Sequence, residues 1–161
     1  MAMFPVLGFC IAAIVVLGLA AAWAGDGRAR VTGAALEAGM LACLAAAVAA
    51  IYPVATAGPL TSGLLGWNGI GFAVRLDAVS LPVSILVAFI GWVVLRYSRT
   101  YLAEEPRRAA FQGWMAFTLA SVLAFTCAGN LVQLVLAWIA TSLCLHKLLL
   151  FYPDRPAAQR A

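Results

Sequence analysis

Apolar stretches long enough to cross a bilayer recur along the whole chain: Phe4 to Ala24, Ala34 to Tyr52, Asp77 to Leu95, Phe111 to Ala128 and Leu131 to about Phe151. A membrane-spanning helix needs about 20 mostly apolar residues. Five such stretches take up most of the 161 residues and leave no soluble core to build. In hydrocarbon every backbone N–H and C=O must find a partner inside the structure, which favours helices. The predicted fold is therefore an all-α integral membrane protein with about five transmembrane helices. The chain is 65% hydrophobic and only 10% charged, whereas soluble domains average about 25% charged residues.

The net charge of +4 has a topological meaning here. Arg28, Arg30, Arg96, Arg99, Arg107, Arg108, Arg155 and Arg160 fall on one side of a five-span chain, with Lys147 near that end of its helix. Arg75 falls on the other. Under the positive-inside rule this puts the N-terminus outside and the C-terminus in the cytoplasm. The placement speaks for a lipid bilayer as partner and against nucleic acid. The N-terminus has no basic residue before its apolar run, so Phe4 to Ala24 counts as a true span, not a cleaved signal.

Between the spans the sequence is more varied. Glu37 lies in the first turn of the predicted second span. It reads either as a helix N-terminal carboxylate near Arg28 and Arg30 or as part of an ion path. Pro53 to Arg75 is rich in Gly, Pro, Thr and Ser. In it Trp67-Asn68-Gly69 reads as a turn and Phe72–Leu76 as a short strand, so a short surface hairpin is expected before the third helix. Asp77 sits where an N-cap belongs. Arg96 to Arg108 reads as a charged connection, with Glu104 and Glu105 solvated beside Arg107 and Arg108. Gly129-Asn130 is a tight turn that makes the last two helices an antiparallel hairpin. The chain thus divides into residues 1–110 (three helices with loops), 111–152 (a helical hairpin) and 153–161 (a polar tail).

The cysteines, Cys10, Cys43, Cys127 and Cys144, are scattered through the spans without zinc spacing, and read as packing residues. The chain has no phosphate loop, no His-Glu-x-x-His, no Gly-x-Ser-x-Gly and a single histidine. No metal site, cofactor, catalytic residue or independent enzyme activity is expected. The last span is different. It carries Asn130, Gln133, Trp138, Thr141, Ser142, His146 and Lys147. An ionisable residue at the centre of a span costs roughly 2.5–3.5 kcal/mol on insertion scales, so it usually faces protein or water. At about 100° per residue, Asn130, Trp138, Thr141, Ser142 and His146 share roughly one half of the helical wheel. Such a face either glues helices together or holds water and relays protons, with histidine as the type of side chain that changes charge near neutral pH. Lys147 points away and is placed to snorkel.

From Phe72 onward the chain resembles the large antiporter-like subunits, which include the NuoL-type subunit of respiratory complex I and the Mrp antiporter subunits. The landmarks are Leu76-Asp77-Ala78-Val79-Ser80, Tyr97-Ser98-Arg99-Thr100-Tyr101, and Asn130-Leu131 followed by Trp138. In NuoL-like proteins a glutamate follows that tryptophan. Here the residue is Ile139, which cannot titrate. The run from Trp138 to Pro156 resembles instead the DabB type of subunit, from the DabA–DabB inorganic carbon system. That resemblance implies coupling of a cation gradient, with protons as the ion, to a DabA-like zinc subunit that hydrates CO2 to bicarbonate. It also implies the remaining antiporter-like membrane helices as partners and the bacterial inner membrane as location. His146, Thr141, Ser142, Lys147 and Glu37 are then the ion-path candidates. Asn130, Trp138 and Asp77 are the helix-positioning ones. Two alternatives stand beside it. One is a proton- or sodium-translocating subunit of an NADH-quinone oxidoreductase or Mrp antiporter. The other is a truncated, non-transporting assembly protein, because family members have many more spans.

Overall fold

A computed structural model describes residues 4–24, 29–63, 65–67, 70–103 and 107–151. Arg28, Asn68, Gly69, Glu104, Glu105 and the 153–161 tail lie outside the described residues, as does the side chain of Trp23. The helices are α1 (Phe4–Ala24), α2 (Ala29–Ala49), α3 (Ile51–Ala57), α4 (Ser80–Tyr101), α5 (Arg108–Thr126) and α6 (Leu131–Leu149). Among the described residues, four helical stretches are long and apolar enough to cross a membrane: Arg30–Ala57, Ser80–Tyr101, Arg108–Thr126 and Leu131–Leu149. α1 spans 21 residues, about 31 Å at 1.5 Å per residue. The architecture is that of an all-α integral membrane protein with five long helical rods.

α5 is the centre. It packs on α1, α4 and α6, while α2 joins α1 to α4. Ile14, Leu36, Met40, Cys43, Leu95 and Leu123 are fully buried where these helices meet. On the outside, Val16, Leu86, Phe89, Leu136 and Leu143 are exposed. An apolar outer surface of this kind suits lipid or a further helix, not water.

The observed boundaries differ from the expected ones in two informative places. The second rod does not end at Tyr52 but runs on through α3 to Ala57. Pro53 accounts for the break between α2 and α3. It lacks an N–H and its ring crowds the carbonyl four residues back, at Ala49. The helix loosens at Ala50 and then resumes, with Val54 N donating to Ala50 O at 3.1 Å. It stops at Gly58, which takes φ +81° and donates to Val54 O. The second difference is in α4, which continues past Leu95 to Tyr101. Arg96 to Tyr101 are therefore helical and not a loop. Buried residues at Ser84, Ala88, Gly91, Leu95 and Ser98 show the reason: the inward stripe carries on past Leu95 at spacings of three and four.

The expected hairpin is present. β2 (Leu65–Trp67) pairs antiparallel with β3 (Ile70–Phe72), placing Trp67 opposite Ile70. The segment read as one strand over Phe72–Leu76 is divided. β3 ends at Phe72, Val74 bridges to Ala128, and β4 (Arg75–Leu76) pairs with β1 (Leu60–Thr61). The connection is thus drawn to the α5–α6 turn as well as to itself.

Candidate functional site

At one end of the bundle the 70–77 segment is fastened to the α5–α6 turn. Gly129 N donates to Ala73 O at 2.8 Å, and Arg75 N donates to Cys127 O at 2.9 Å. A Cβ on Gly129 would lie 2.7 Å from Ala73 Cβ and 2.8 Å from Ala73 O, so only glycine allows this approach. Asn130 has extended backbone and caps α6, its Oδ1 accepting from Gln133 N at 2.7 Å. Its amide also donates to Gly71 O at 2.7 Å. Gln133 is buried. Its Oε1 accepts from Ala73 N at 2.8 Å and its Nε2 donates to Ala124 O at 3.2 Å. These partners are all uncharged amides.

Asp77 works beside this seam. Its Oδ1 accepts from Ser80 N at 2.8 Å and Val79 N at 3.0 Å, while Ser80 Oγ accepts from Asp77 N at 2.9 Å. This is reciprocal capping in the manner of a capping box. The Ser80 and Val79 N–H groups, with Arg75 nearby, hold the Asp77 carboxyl below the usual aspartate range. Asn130 and Asp77 each accept from backbone N–H groups at the start of a helix. Trp138 does not sit in this seam; it is 62% exposed on α6.

The opposite end is charged. Glu37 lies about 12 Å along α2 from Ala29, not in a first turn, because the helix starts earlier than expected. Its side chain is 9% exposed. Oε1 accepts from Arg96 Nη1 at 2.9 Å, and Oε2 accepts from Arg99 Nη1. Of the expected neighbours, Arg28 lies outside the described residues and Arg30 is not an ion-pair partner among them; α4 supplies Arg96 and Arg99. Arg96 also lies over the Trp92 ring, 5.9 Å from its centroid. Around this cluster is a polar cavity of about 340 Å³, lined by Arg30, Glu37, Arg96, Arg99, Thr100, Ala103, Arg108 and Gln112. Gln112 is buried, and its Oε1 has no hydrogen-bond partner.

The polar residues of α6 lie elsewhere. Thr141 Oγ1 donates to Ala137 O at 2.8 Å and Ser142 Oγ donates to Trp138 O at 3.2 Å, each a carbonyl of its own helix. Ser142, His146 and Lys147 are exposed and Thr141 is half-buried. α6 packs on α5 and β3, so the fold does not bring His146 beside Glu37. Four residues central to the two ends were not among the site candidates read from sequence: Arg96, Arg99, Gln112 and Gly129. The signal for the first two was the continuing stripe through Ser98. For Gln112 it was the i, i+4 spacing from Arg108. Between α1, α5 and α6 a wider apolar groove of about 1260 Å³ opens below the hairpin.

Comparison with known proteins fits this arrangement. The family model for the N-terminus of chain 5 of NADH-ubiquinone oxidoreductase (complex I) matches residues 67–112, from the hairpin into α5. The probable inorganic carbon transporter subunit DabB2 from Halothiobacillus neapolitanus is 38% identical over 102 residues, 63% of this chain and 18% of that protein. The probable inorganic carbon transporter subunit DabB from Hydrogenovibrio crunogenus is 39% identical over 88 residues, 53% of this chain and 17% of that protein. Subunit L of the NADH-quinone oxidoreductase of Mycobacterium tuberculosis is 32% identical over 92 residues, 57% of this chain and 14% of that protein. The matched stretch covers less than a fifth of each of these relatives.

The helices able to cross a membrane make this a multi-pass membrane protein. Part of it is similar to antiporter-like subunits of the complex I type, and at higher identity to subunits of the DabB type.

Proposed function

We propose that this chain belongs to an energy-coupled inorganic carbon accumulation complex in the bacterial inner membrane. It would couple cation flux, with protons as the ion, to a DabA-like zinc subunit that carries the CO2 chemistry. The observation that carries this is the higher identity to the two DabB relatives, 38% and 39%, than to subunit L, 32%. Ile139, where the subunit L pattern has a glutamate, supports it. His146, Thr141, Ser142 and Lys147 are the proposed ion-path residues, facing further antiporter-like helices across the exposed side of α6. Glu37, with both oxygens held by arginines, is proposed as a fixed charge at the mouth of such a path. The chain itself performs transport and not catalysis.

The test is affinity purification of this chain from its native cells in a mild detergent, with mass spectrometry of its partners. A DabA-like zinc protein in near-equal amount supports the proposal. Quinone-oxidoreductase or Mrp subunits in its place would overturn it in favour of the second reading, a proton- or sodium-translocating respiratory subunit, which the complex I family match over residues 67–112 favours. A functional arm follows: His146→Ala should abolish carbon-dependent rescue at normal protein levels. Full rescue would remove His146 from the path.

A further inference from the structure

Among the described residues, the cavity at the charged end has more positive charge than Glu37 balances. Glu37 can balance only one of Arg96 and Arg99, both of which it touches. Arg30 lines the same cavity and makes no ion pair among the described residues. Arg108 adds a further guanidinium to the wall, donating to Ala103 O at 2.8 Å. The cavity opens outward at Arg96, whose side chain is 68% exposed. A second observation is independent of charge. Gln112 is 2% exposed, and its Oε1 accepts from nothing. A buried carbonyl without a donor is costly, so this wall of the cavity asks for a hydroxyl or water. A Cβ on Gly33 would lie 3.0 Å from that amide, so the glycine gives it room.

The surroundings are those of a membrane interface. Tyr97 and Tyr101 stack 5.5 Å apart on the exposed side of the same end of α4, where aromatic rings settle at headgroup level. Towards the middle of the bundle α2 and α4 expose Leu41, Phe89, Ile90 and Val93. A basic pocket between transmembrane helices, with apolar helix surface running away from it, suits an anionic headgroup with acyl chains.

We propose that the cavity between α2, α4 and α5 binds the headgroup of a glycerol-bearing anionic phospholipid, phosphatidylglycerol in the simplest case. Arg30, Arg96 and Arg99 take the phosphate, and a headgroup hydroxyl donates to Gln112 Oε1. The acyl chains lie along α2 and α4. At about 30 Å³ per water, 340 Å³ is room for roughly ten waters, ample for a phosphate and a three-carbon polyol. This assignment stands apart from the carbon-uptake proposal, since it needs no particular transported ion.

The experiment is native mass spectrometry of the full chain in mild detergent with added phosphatidylglycerol, phosphatidic acid, phosphatidylcholine or inorganic phosphate. Phosphatidylglycerol should be retained severalfold better than phosphatidylcholine. Arg30→Gln should lower that retention about fivefold, the equivalent of about 1 kcal/mol for one basic residue at a membrane surface. Gln112→Leu should reduce phosphatidylglycerol to the level of phosphatidic acid and leave phosphatidic acid unchanged. Equal retention of phosphatidylglycerol and phosphatidylcholine would overturn the proposal. So would phosphatidylglycerol retention that survives Arg30→Gln, an exposed change that leaves the core intact. Displacement of phosphatidylglycerol by millimolar inorganic phosphate would assign the arginines to a free oxyanion and overturn the lipid assignment.

Discussion

At one end of the bundle the 70–77 segment meets the α5–α6 turn through uncharged amides, with Ala73, Gly129, Asn130 and Gln133 as the contact points. At the other end α2, α4 and α5 meet around the Glu37 carboxylate and several guanidiniums. The first joint depends on short contacts of fixed geometry, so it tolerates little change. The second depends on charge, which acts over longer distances, is screened by salt and leaves a cavity open. The fold is therefore constrained at its amide end and open to its surroundings at its charged end.

The largest effect should come from breaking the rigid joint. In Gly129→Ala the new methyl meets the carbonyl oxygen and the Cβ of Ala73 at 2.8 and 2.7 Å, and backbone cannot step aside as a flexible side chain would. The expected loss is about 3 kcal/mol, read as a shift in unfolding by denaturing detergent, with the same loss at low and high salt. A loss under about 0.5 kcal/mol would show that the 70–77 segment is not held there.

Breaking the charged joint should cost less. Glu37→Gln removes the charge that two guanidiniums share. Losing one partner of a fully buried pair costs about 3–5 kcal/mol, but Arg96 and Arg99 are 68% and 37% exposed. Solvent screening should bring the loss to about 2 kcal/mol. Unlike Gly129→Ala, its effect should shrink in high salt. Salt-independent destabilisation by Glu37→Gln would erase the contrast between the ends.

Much of the fold is legible in the sequence because hydrophobic length dominates in a membrane. The five rods, the Gly129-Asn130 turn, the Asp77 cap and the pairing of β2 with β3 all follow from local composition. What local composition hides is which residues meet across the bundle. Arg96 and Arg99 look like loop charges until α4 is seen to continue its inward stripe to Ser98. Glu37 looks like a partner for Arg28 and Arg30 because they are near in sequence, yet its arginines come from 59 and 62 residues away. Gly129 looks like an ordinary turn glycine; its need for close approach depends on Ala73, which no local pattern links to it. Conversely, the shared wheel face of Thr141, Ser142 and His146 is real as geometry. In the fold those hydroxyls bond their own helix, and the face looks outward from the bundle.

A smaller effect sharpens the neutral end. Asp77→Ala should cost about 1 kcal/mol, the usual value of a lost helix cap. Its pH dependence has a definite sign. The folded-state carboxyl is held below the ordinary aspartate value, chiefly by the Ser80 N–H. The charge-dependent part of the cap is therefore fully present at neutral pH and is lost as pH falls through that depressed value, below about pH 4. Asp77→Asn keeps an acceptor for the Ser80 N–H but removes the charge. The gap between wild type and Asp77→Asn should close on acidification; a constant gap would mean that geometry alone makes the cap.

The smallest structural effect should come from α6. Ser142→Ala deletes a hydroxyl that is exposed and bonded to the Trp138 carbonyl of its own helix. Such a bond offers the helix little that it does not already have, so stability should change by less than about 0.5 kcal/mol. That near-silence makes the position useful. Because folding does not depend on the hydroxyl, any loss of carbon-dependent rescue in Ser142→Ala at normal protein level would report transport chemistry directly. A loss shared by Ser142→Ala, Thr141→Val and His146→Ala would mark a track on α6. Rescue in all three, with destabilisation confined to Gly129 and Glu37, would leave the working chemistry at the two ends of the bundle and α6 as a packing helix.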